Sequence, residues 1–293
     1  MKYLSVAQTA KKWNISERSV RNYCAEGRVG GAFLTGKTWN IPEGAQKPGR
    51  ANGRARSGAL LRALRAEKSA RLSGGIYHKV QVELTYNSNH IEGSRLTHEQ
   101  TRFIFETKTV EGGAVFVDDV VETVNHFECV DAVIDCAEKK ITQAFIKRLH
   151  GTLMRGTSQA REKRFAVGEY KKLPNTVGDI FTALPEEVEE KMSALIEEYN
   201  GKKPKTLDDI LDFHCKFERI HPFQDGNGRV GRLLMFKECL NCGIVPFIID
   251  EQLKPFYYRG LREWGRERGF LRDTCLAAQD KFKEYLDYFR IEY

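Results

Sequence analysis

The apolar positions of the first 45 residues form two short helical stripes followed by short alternating pieces. Ser5 can cap a helix in which Val6, Ala10 and Trp13 recur at helical spacing. Asn14-Ile15-Ser16 supplies a tight turn, with Ser16 as a second cap. A second helix is predicted from about Glu17 to Ala25, with Val20 and either Tyr23 or Cys24 facing inward and Gly27 ending it. Arg28-Val29, Ala32–Leu34 and Lys37–Ile41 read as short strands around Thr35-Gly36, and Pro42 closes the unit. Two short helices joined in this way predict a helix-turn-helix.

From about residue 74 the period is helical almost throughout. Ile76, Val80, Leu84 and Ile91 share one face of a predicted helix, and Thr97 caps the next. Further helices are predicted over Asp118–Lys139, Thr142–Arg155, Glu186–Tyr199, Leu207–Ile220, Val230–Cys242, Gln252–Arg266 and Asp273–Phe289. The stretch Ala166–Phe181 breaks the pattern. It sets Pro174-Asn175 and Gly178 between short β-prone pieces and predicts a hairpin. The expected class is mainly α.

Composition changes the picture mainly through charge. The 293 residues carry a net +7, but residues 1–72 hold 15 Lys+Arg against 4 Asp+Glu, which leaves the remainder mildly acidic. A basic module is drawn to polyanions, with DNA the usual candidate. No apolar run approaches the roughly 18 residues of a membrane span, so no membrane partner is expected. The N-terminus lacks an apolar stretch suited to a signal peptide, and seven cysteines is an odd count, so a cytoplasmic protein without a disulfide framework is expected. Cys239-Leu-Asn-Cys242 has no second pair and is expected to pack rather than bind zinc.

Arg18, Ser19, Arg21 and Asn22 lie on the predicted outward face of the second helix, side chains suited to phosphates and base edges. The segment LSVAQTAKKWNISERSVRNYCAEGRV, with GKTWNIP downstream, resembles the excisionase/MerR-like winged helix-turn-helix family over residues 3–45. Gly30-Gly31 stands where that family often has a proline. The resemblance implies duplex DNA as a partner. Residues 43–72, with Arg50, Arg54 and Arg56, read as a flexible basic linker that becomes a helix with a Leu60, Leu61, Leu64 stripe.

The candidate chemistry concentrates in His221-Pro222-Phe223-Gln224-Asp225-Gly226-Asn227-Gly228-Arg229-Val230-Gly231-Arg232. Gly226 and Gly228 let a backbone turn tightly and approach a ligand. Free N–H groups there, at the start of a helix, suit an anion. Arg229 and Arg232 add two cations, Asp225 is a hard oxygen ligand suited to Mg²⁺, and His221 at the loop entrance can take a proton from a hydroxyl.

HPFQDGNGRVGR resembles the Fic-family motif, with support over about residues 75–290 from His150 in KRLHGTLM, the GEYKKLPNTV hairpin and FHCKFERIHPF. The resemblance implies transfer of AMP from ATP to a Ser, Thr or Tyr hydroxyl of a target protein, with self-modification included. It implies His221 as general base and Asp225 as the Mg²⁺ ligand. Gly226, Asn227 and Gly228 would cradle phosphates, and Arg229 and Arg232 would bind the β- and γ-phosphates. The flap around Lys172, Pro174, Asn175 and Val177 would pair with the target segment. Tyr257 or Tyr258 would lie near the adenine, with Tyr258 the preferred candidate.

Ser88-Asn89-His90-Ile91-Glu92-Gly93 resembles the family's inhibitory motif. Ser88 and Glu92 share a helix face, Gly93 can end the helix, and the Glu92 carboxylate can reach Arg232. In some relatives this glutamate serves removal of AMP, so a de-AMPylating hydrolase is one alternative. A DNA-binding regulator whose Fic domain senses nucleotide is another. The expected organisation is a winged helix-turn-helix over 1–48, a basic linker over 49–73 and a Fic domain with its inhibitory helix over 74–293. Oligomeric state is left open, with a homodimer among the options.

Overall fold

The two N-terminal helices form where the apolar spacing predicts them. In the computed structural model, which describes residues 2–25, 27–36, 38–48, 53–178 and 180–293, the chain divides into two units, Met1–Gly53 and Arg54–Tyr293. The side chains of residues 53–57 and 180 lie outside the description, as do Lys37 and Arg50.

In the first unit, strand β1 (Tyr3–Leu4) leads into α1 (Val6–Trp13), α2 (Glu17–Ala25), β2 (Phe33–Thr35) and β3 (Thr38–Pro42). Ser5 caps α1 through the Gln8 backbone N–H, and the Gln8 side chain returns the bond. Asn14 ends α1 in the left-handed region (φ 52°), where asparagine is tolerated better than most residues. The sheet order is β1-β3-β2, all antiparallel, with Leu4 opposite Ile41 and Leu34 opposite Trp39. Val6, Ala10, Trp13, Val20, Cys24, Val29 and Ile41 form one small core. Of the two inward candidates on α2, Cys24 is the buried one. The strand expected at Arg28-Val29 is absent: Val29 fills the core from a turn. Pro42 is the last residue of β3, where it lies opposite Tyr3. A two-residue strand such as β1 has no period to read, and its partner lies almost forty residues away.

The second unit begins with α3 (Gly53–Ala70) and continues with α4 (Ile76–Ile91), α5 (His98–Thr107), α6 (Val117–Asp135) and α7 (Gln143–Leu153). The hairpin β4 (Thr176–Val177) and β5 (Ile180–Phe181) follows, then α8 (Pro185–Gly201), α9 (Leu207–Ile220), α10 (Asn227–Cys242), α11 (Lys254–Glu263) and α12 (Gly269–Tyr288). The fold is mainly helical with one small hairpin. The basic linker expected over 49–73 is corrected here. Most of it is α3, and Leu60, Leu61 and Leu64 are buried in the main core with Ile76 and Val80. On this helix Arg65 and Lys68 pair with Glu138 and Asp135 of the second unit.

Helix α10 is the axis of this unit. Val230, Leu233, Leu234, Met235, Phe236, Cys239 and Leu240 are all buried, so the helix is covered nearly all round. Its buried charges are matched: the Lys237 ammonium donates to the Ala137 carbonyl (3.1 Å) and to Glu238 (2.7 Å), and Glu238 accepts from Tyr199 Oη (2.9 Å). Burying this helix fixes its N-terminus, where the candidate site lies. Cys239 is likewise buried as a free thiol. Among the described residues no helix is long and apolar enough to cross a membrane.

Candidate functional site

The reacting loop runs from the last turn of α9 to the first turn of α10. His221 caps α9 in the left-handed region (φ 51°), an uncommon conformation for a residue with a Cβ. Phe223 is fully buried. Its ring stacks on His150 at 3.9 Å between centroids and 9° between planes. Asn227 clamps the turn with both arms of its amide, accepting from Phe223 N and donating to Phe223 O, each at 2.8 Å. Asn227 therefore shapes the loop with its side chain, and any phosphate cradle there is backbone. His150 accepts from the Gly168 N–H through Nδ1 (3.0 Å), so its Nε2 carries the proton and donates to the Asp225 carbonyl (3.2 Å).

At Gly226 the backbone is left-handed (φ 77°), and an added Cβ would crowd Met154 Sδ at 3.2 Å. This turn opens the sixteen-residue α10, whose first N–H groups lack intrahelical partners. A carboxylate already sits against this N-terminus. A Cβ on Gly228 would lie 2.3 Å from Glu92 Oε1, so only glycine admits that approach. Glu92 caps α4, with Gly93 beyond it at φ 99°.

The same carboxylate pairs with Arg232 at 2.6 Å. Arg232 is buried, and it also donates to Ser88 Oγ (3.0 Å) and the Ser88 carbonyl (2.9 Å). Glu92 is the largest influence holding the guanidinium in its charged form against burial. Ser88, Glu92, Gly228 and Arg232 thus meet at one point. Glu218 of α9 flanks Arg232 from below, and burial pushes its carboxyl up to about 8 despite the guanidinium. Glu92 is the ionic partner.

Arg229 is placed differently from Arg232. It is buried and pairs with Glu122 of α6, while Asp225 Oδ2 lies 3.9 Å away. Burial raises the Glu122 carboxyl, with Arg229 opposing the shift. Asp225 is half-exposed and accepts from the Gly226 N–H at 2.6 Å. The His221 imidazole is pushed down to about 4, first by burial and then by the Lys171 ammonium, against the Glu218 carbonyl, Asp225 and Glu92. It is a neutral base at physiological pH.

Tyr258 is half-exposed, and burial with the nearby Glu92 charge pushes its phenol up to about 12. Tyr257 is buried against His214 Nε2 at 2.6 Å and belongs to the core. In the flap, Lys172, Pro174 and Val177 are exposed, whereas Asn175 is half-buried and donates to Phe223 O (3.1 Å). On α2, Arg18, Arg21 and Asn22 are exposed. Ser19 is half-buried, its hydroxyl and N–H engaged with the Ser16 Oγ.

Glu122, Glu218 and Lys171 are not legible as site residues in the sequence. Each is an ordinary charged residue on a helix or loop, and its role exists only through contacts dozens of residues away. Buried histidines share a consequence. His126 and His214 are pushed down to about 3, and His150 and His221 to about 4, with burial the first cause in each. Their folded pKa lies below the unfolded value, so the stability they contribute is present above about pH 6.5 and is lost as pH falls toward 4. The unfolding free energy extrapolated from urea titrations is expected to fall as pH is lowered through that window.

An imidazole, a carboxylate and a helix N-terminus with a buried arginine lie together here, a set of groups chemically suited to a phosphate. Residues 140–239 match the model of the Fic/DOC family. A protein adenylyltransferase Fic of Nematostella vectensis is 31% identical over 209 residues, 69% of this chain and 48% of that protein. One of Drosophila mojavensis is 29% identical over 69% of this chain and 40% of its own length. The chain thus spans less than half of these relatives. A Fic-domain signaling protein from Bacteroides thetaiotaomicron superposes with a TM-score of 0.58 at 27% identity, over 78% of this chain and 90% of that one. A Fic family protein from Desulfovibrio desulfuricans shares the fold, with a TM-score of 0.60 at 22% identity over 83% and 75% of the two chains.

Proposed function

We propose that the second unit is a protein adenylyltransferase that moves AMP from ATP to a Ser, Thr or Tyr hydroxyl of a target protein, held back by Glu92. The observation that carries this reading is the Glu92 carboxylate against the N-terminus of α10 and on Arg232. An acidic group stands where a triphosphate would find both its helix dipole and its arginine.

His221, neutral at pH 7, takes the proton of the target hydroxyl. The hydroxyl oxygen forms a bond to the α-phosphorus, the α–β bridging bond breaks, and pyrophosphate leaves. The N–H groups of α10 and the Arg232 guanidinium face the charge that grows on the departing group. Arg229, tied to Glu122, lends its charge from a fixed position beside Asp225. Asp225 fits Mg²⁺: its carboxylate is half-exposed, one oxygen is steadied by the Gly226 N–H, and a single carboxylate with substrate phosphates is the donor set this ion commonly takes. Bound there, Mg²⁺ would neutralise phosphate charge.

The test uses ATP labelled at the α- or γ-phosphate, with Mg²⁺. Label from the α-position in protein, and none from the γ-position, supports the reading. Equal labelling from UTP or CDP-choline would reassign the nucleotide. Release of AMP from a pre-modified protein that requires the Glu92 carboxylate would assign the site to hydrolysis.

For residues 1–48 the exposed Arg18, Arg21 and Asn22 on α2 favour contact with duplex DNA, and so a regulator whose second unit senses nucleotide. Binding that weakens steeply with salt, and is lost with Arg18→Ala and Arg21→Ala together, supports that reading. Salt-independent or unchanged binding contradicts it.

A further inference from the structure

Lys171 is a lysine with almost no exposed surface (3%), on the segment between α7 and the hairpin. Its ammonium has three N–H donors and three acceptors: Asn175 Oδ1 at 2.7 Å, Thr182 Oγ1 at 2.7 Å and the Ile220 carbonyl at 3.4 Å. Asn175 immediately precedes β4 and Thr182 immediately follows β5, so two of the bonds hold both stems of the hairpin. The third reaches the last residue of α9, directly before His221. The backbone adds to the same knot. Lys171 N donates to the Pro222 carbonyl at 2.8 Å, Asn175 Nδ2 to Phe223 O at 3.1 Å, and Thr182 Oγ1 to Asn175 O at 2.8 Å.

We propose that Lys171 is a positioning residue that locks the hairpin to the His221 loop, so that a target segment laid along the hairpin sets the place of the base. The coupling is a property of the fold; its use in catalysis rests on the adenylyltransferase reading. The geometry needs the charged form, because a neutral amine has two N–H donors for three acceptors. Burial nevertheless pushes the Lys171 ammonium down to about 8, with Lys191 adding to the shift and Glu187 opposing it. The same charge faces His221 from the hairpin side, while Glu218 of α9, Asp225 of the loop and Glu92 of α4 face it from the others. A lysine in this place therefore fixes the loop and adds to burial in disfavouring protonation of the imidazole.

The test compares the full chain with Lys171→Met and Lys171→Arg by amide hydrogen exchange, with a melt to establish folding. In Lys171→Met, exchange at residues 172–182 and 221–226 is expected to rise together, about tenfold or more, while α10 and α12 keep their protection. Lys171→Arg restores most of it. The His221 imidazole titration, read by NMR, moves up by roughly half a pH unit in Lys171→Met when one nearby charge is removed. Loosening of the hairpin with an unchanged loop and an unchanged His221 titration overturns the coupling. So does loss of protection over the whole chain in both variants. In a Glu92→Gly background the transfer rate at saturating ATP is expected to fall tenfold or more with Lys171→Met, with the KM for ATP unmoved. If that background transfers no AMP at all, the adenylyltransferase reading fails while the exchange result still decides the coupling.

Discussion

Glu92→Gly is expected to raise incorporation of label from α-labelled ATP by about 10- to 100-fold. The estimate follows from one charge-assisted hydrogen bond at 2.6 Å, worth about 1.5–3 kcal/mol, which ATP must displace before its phosphates can take Arg232. Without Glu92 the guanidinium keeps its bonds to Ser88 but loses its ionic partner. The unliganded variant is therefore expected to be less stable, by about 1–3 kcal/mol, because the Glu92 side chain is one-third exposed and the pair is partly screened. ATP should then stabilise the variant more than the wild type, since it refills the position. Filter assays of incorporation and thermal melts with and without ATP check both halves. A variant with tighter ATP binding and no gain in transfer would detach Glu92 from restraint.

His221→Ala is expected to cost about 10²- to 10⁴-fold in transfer, the usual worth of a positioned general base, with ATP affinity little changed. His221 caps α9 through its backbone N–H, not its ring, so removing the imidazole leaves the α9 C-terminal hydrogen bond to Phe217 O intact. The pH dependence has a defined sign. His221 is a base only while unprotonated, and with its pKa pushed down to about 4 it stays so throughout the neutral range. Activity should be lost as pH falls toward 4, and a limb near pH 6.5, the position of an ordinary exposed histidine, would contradict the burial described here. Initial rates between pH 4 and 8 in the Glu92→Gly background supply the profile.

The helices were legible from their apolar stripes, and α1, α5, α7 and α9 also from a Ser or Thr cap. α4 follows Ile76–Ile91, and α9 starts at the Thr206 cap as its pattern requires. The loop 221–232 was legible as chemistry because its residue types sit together in sequence. Glu92 was singled out by the resemblance of Ser88–Gly93 to an inhibitory motif, and its carboxylate does meet Arg232. What escaped were contacts between distant segments. Lys171 looks like any lysine beside a turn, Glu122 like any acidic residue in a helix, and β1 is two residues long. The Leu60, Leu61 and Leu64 stripe was legible as a helix face, but not that the main core receives it. Asn227 was read as part of a phosphate cradle, but its amide is spent on Phe223, which no spacing rule shows.

The most direct measurement is a crystal structure of the Glu92→Gly variant with Mg²⁺ and a non-hydrolysable ATP analogue. The triphosphate is expected across the first turn of α10, its terminal phosphate on Arg232 in the position the Glu92 carboxylate holds and its α-phosphate facing His221. A nucleotide bound elsewhere, or a first turn of α10 left bare with Arg232 turned to Glu218, would contradict it.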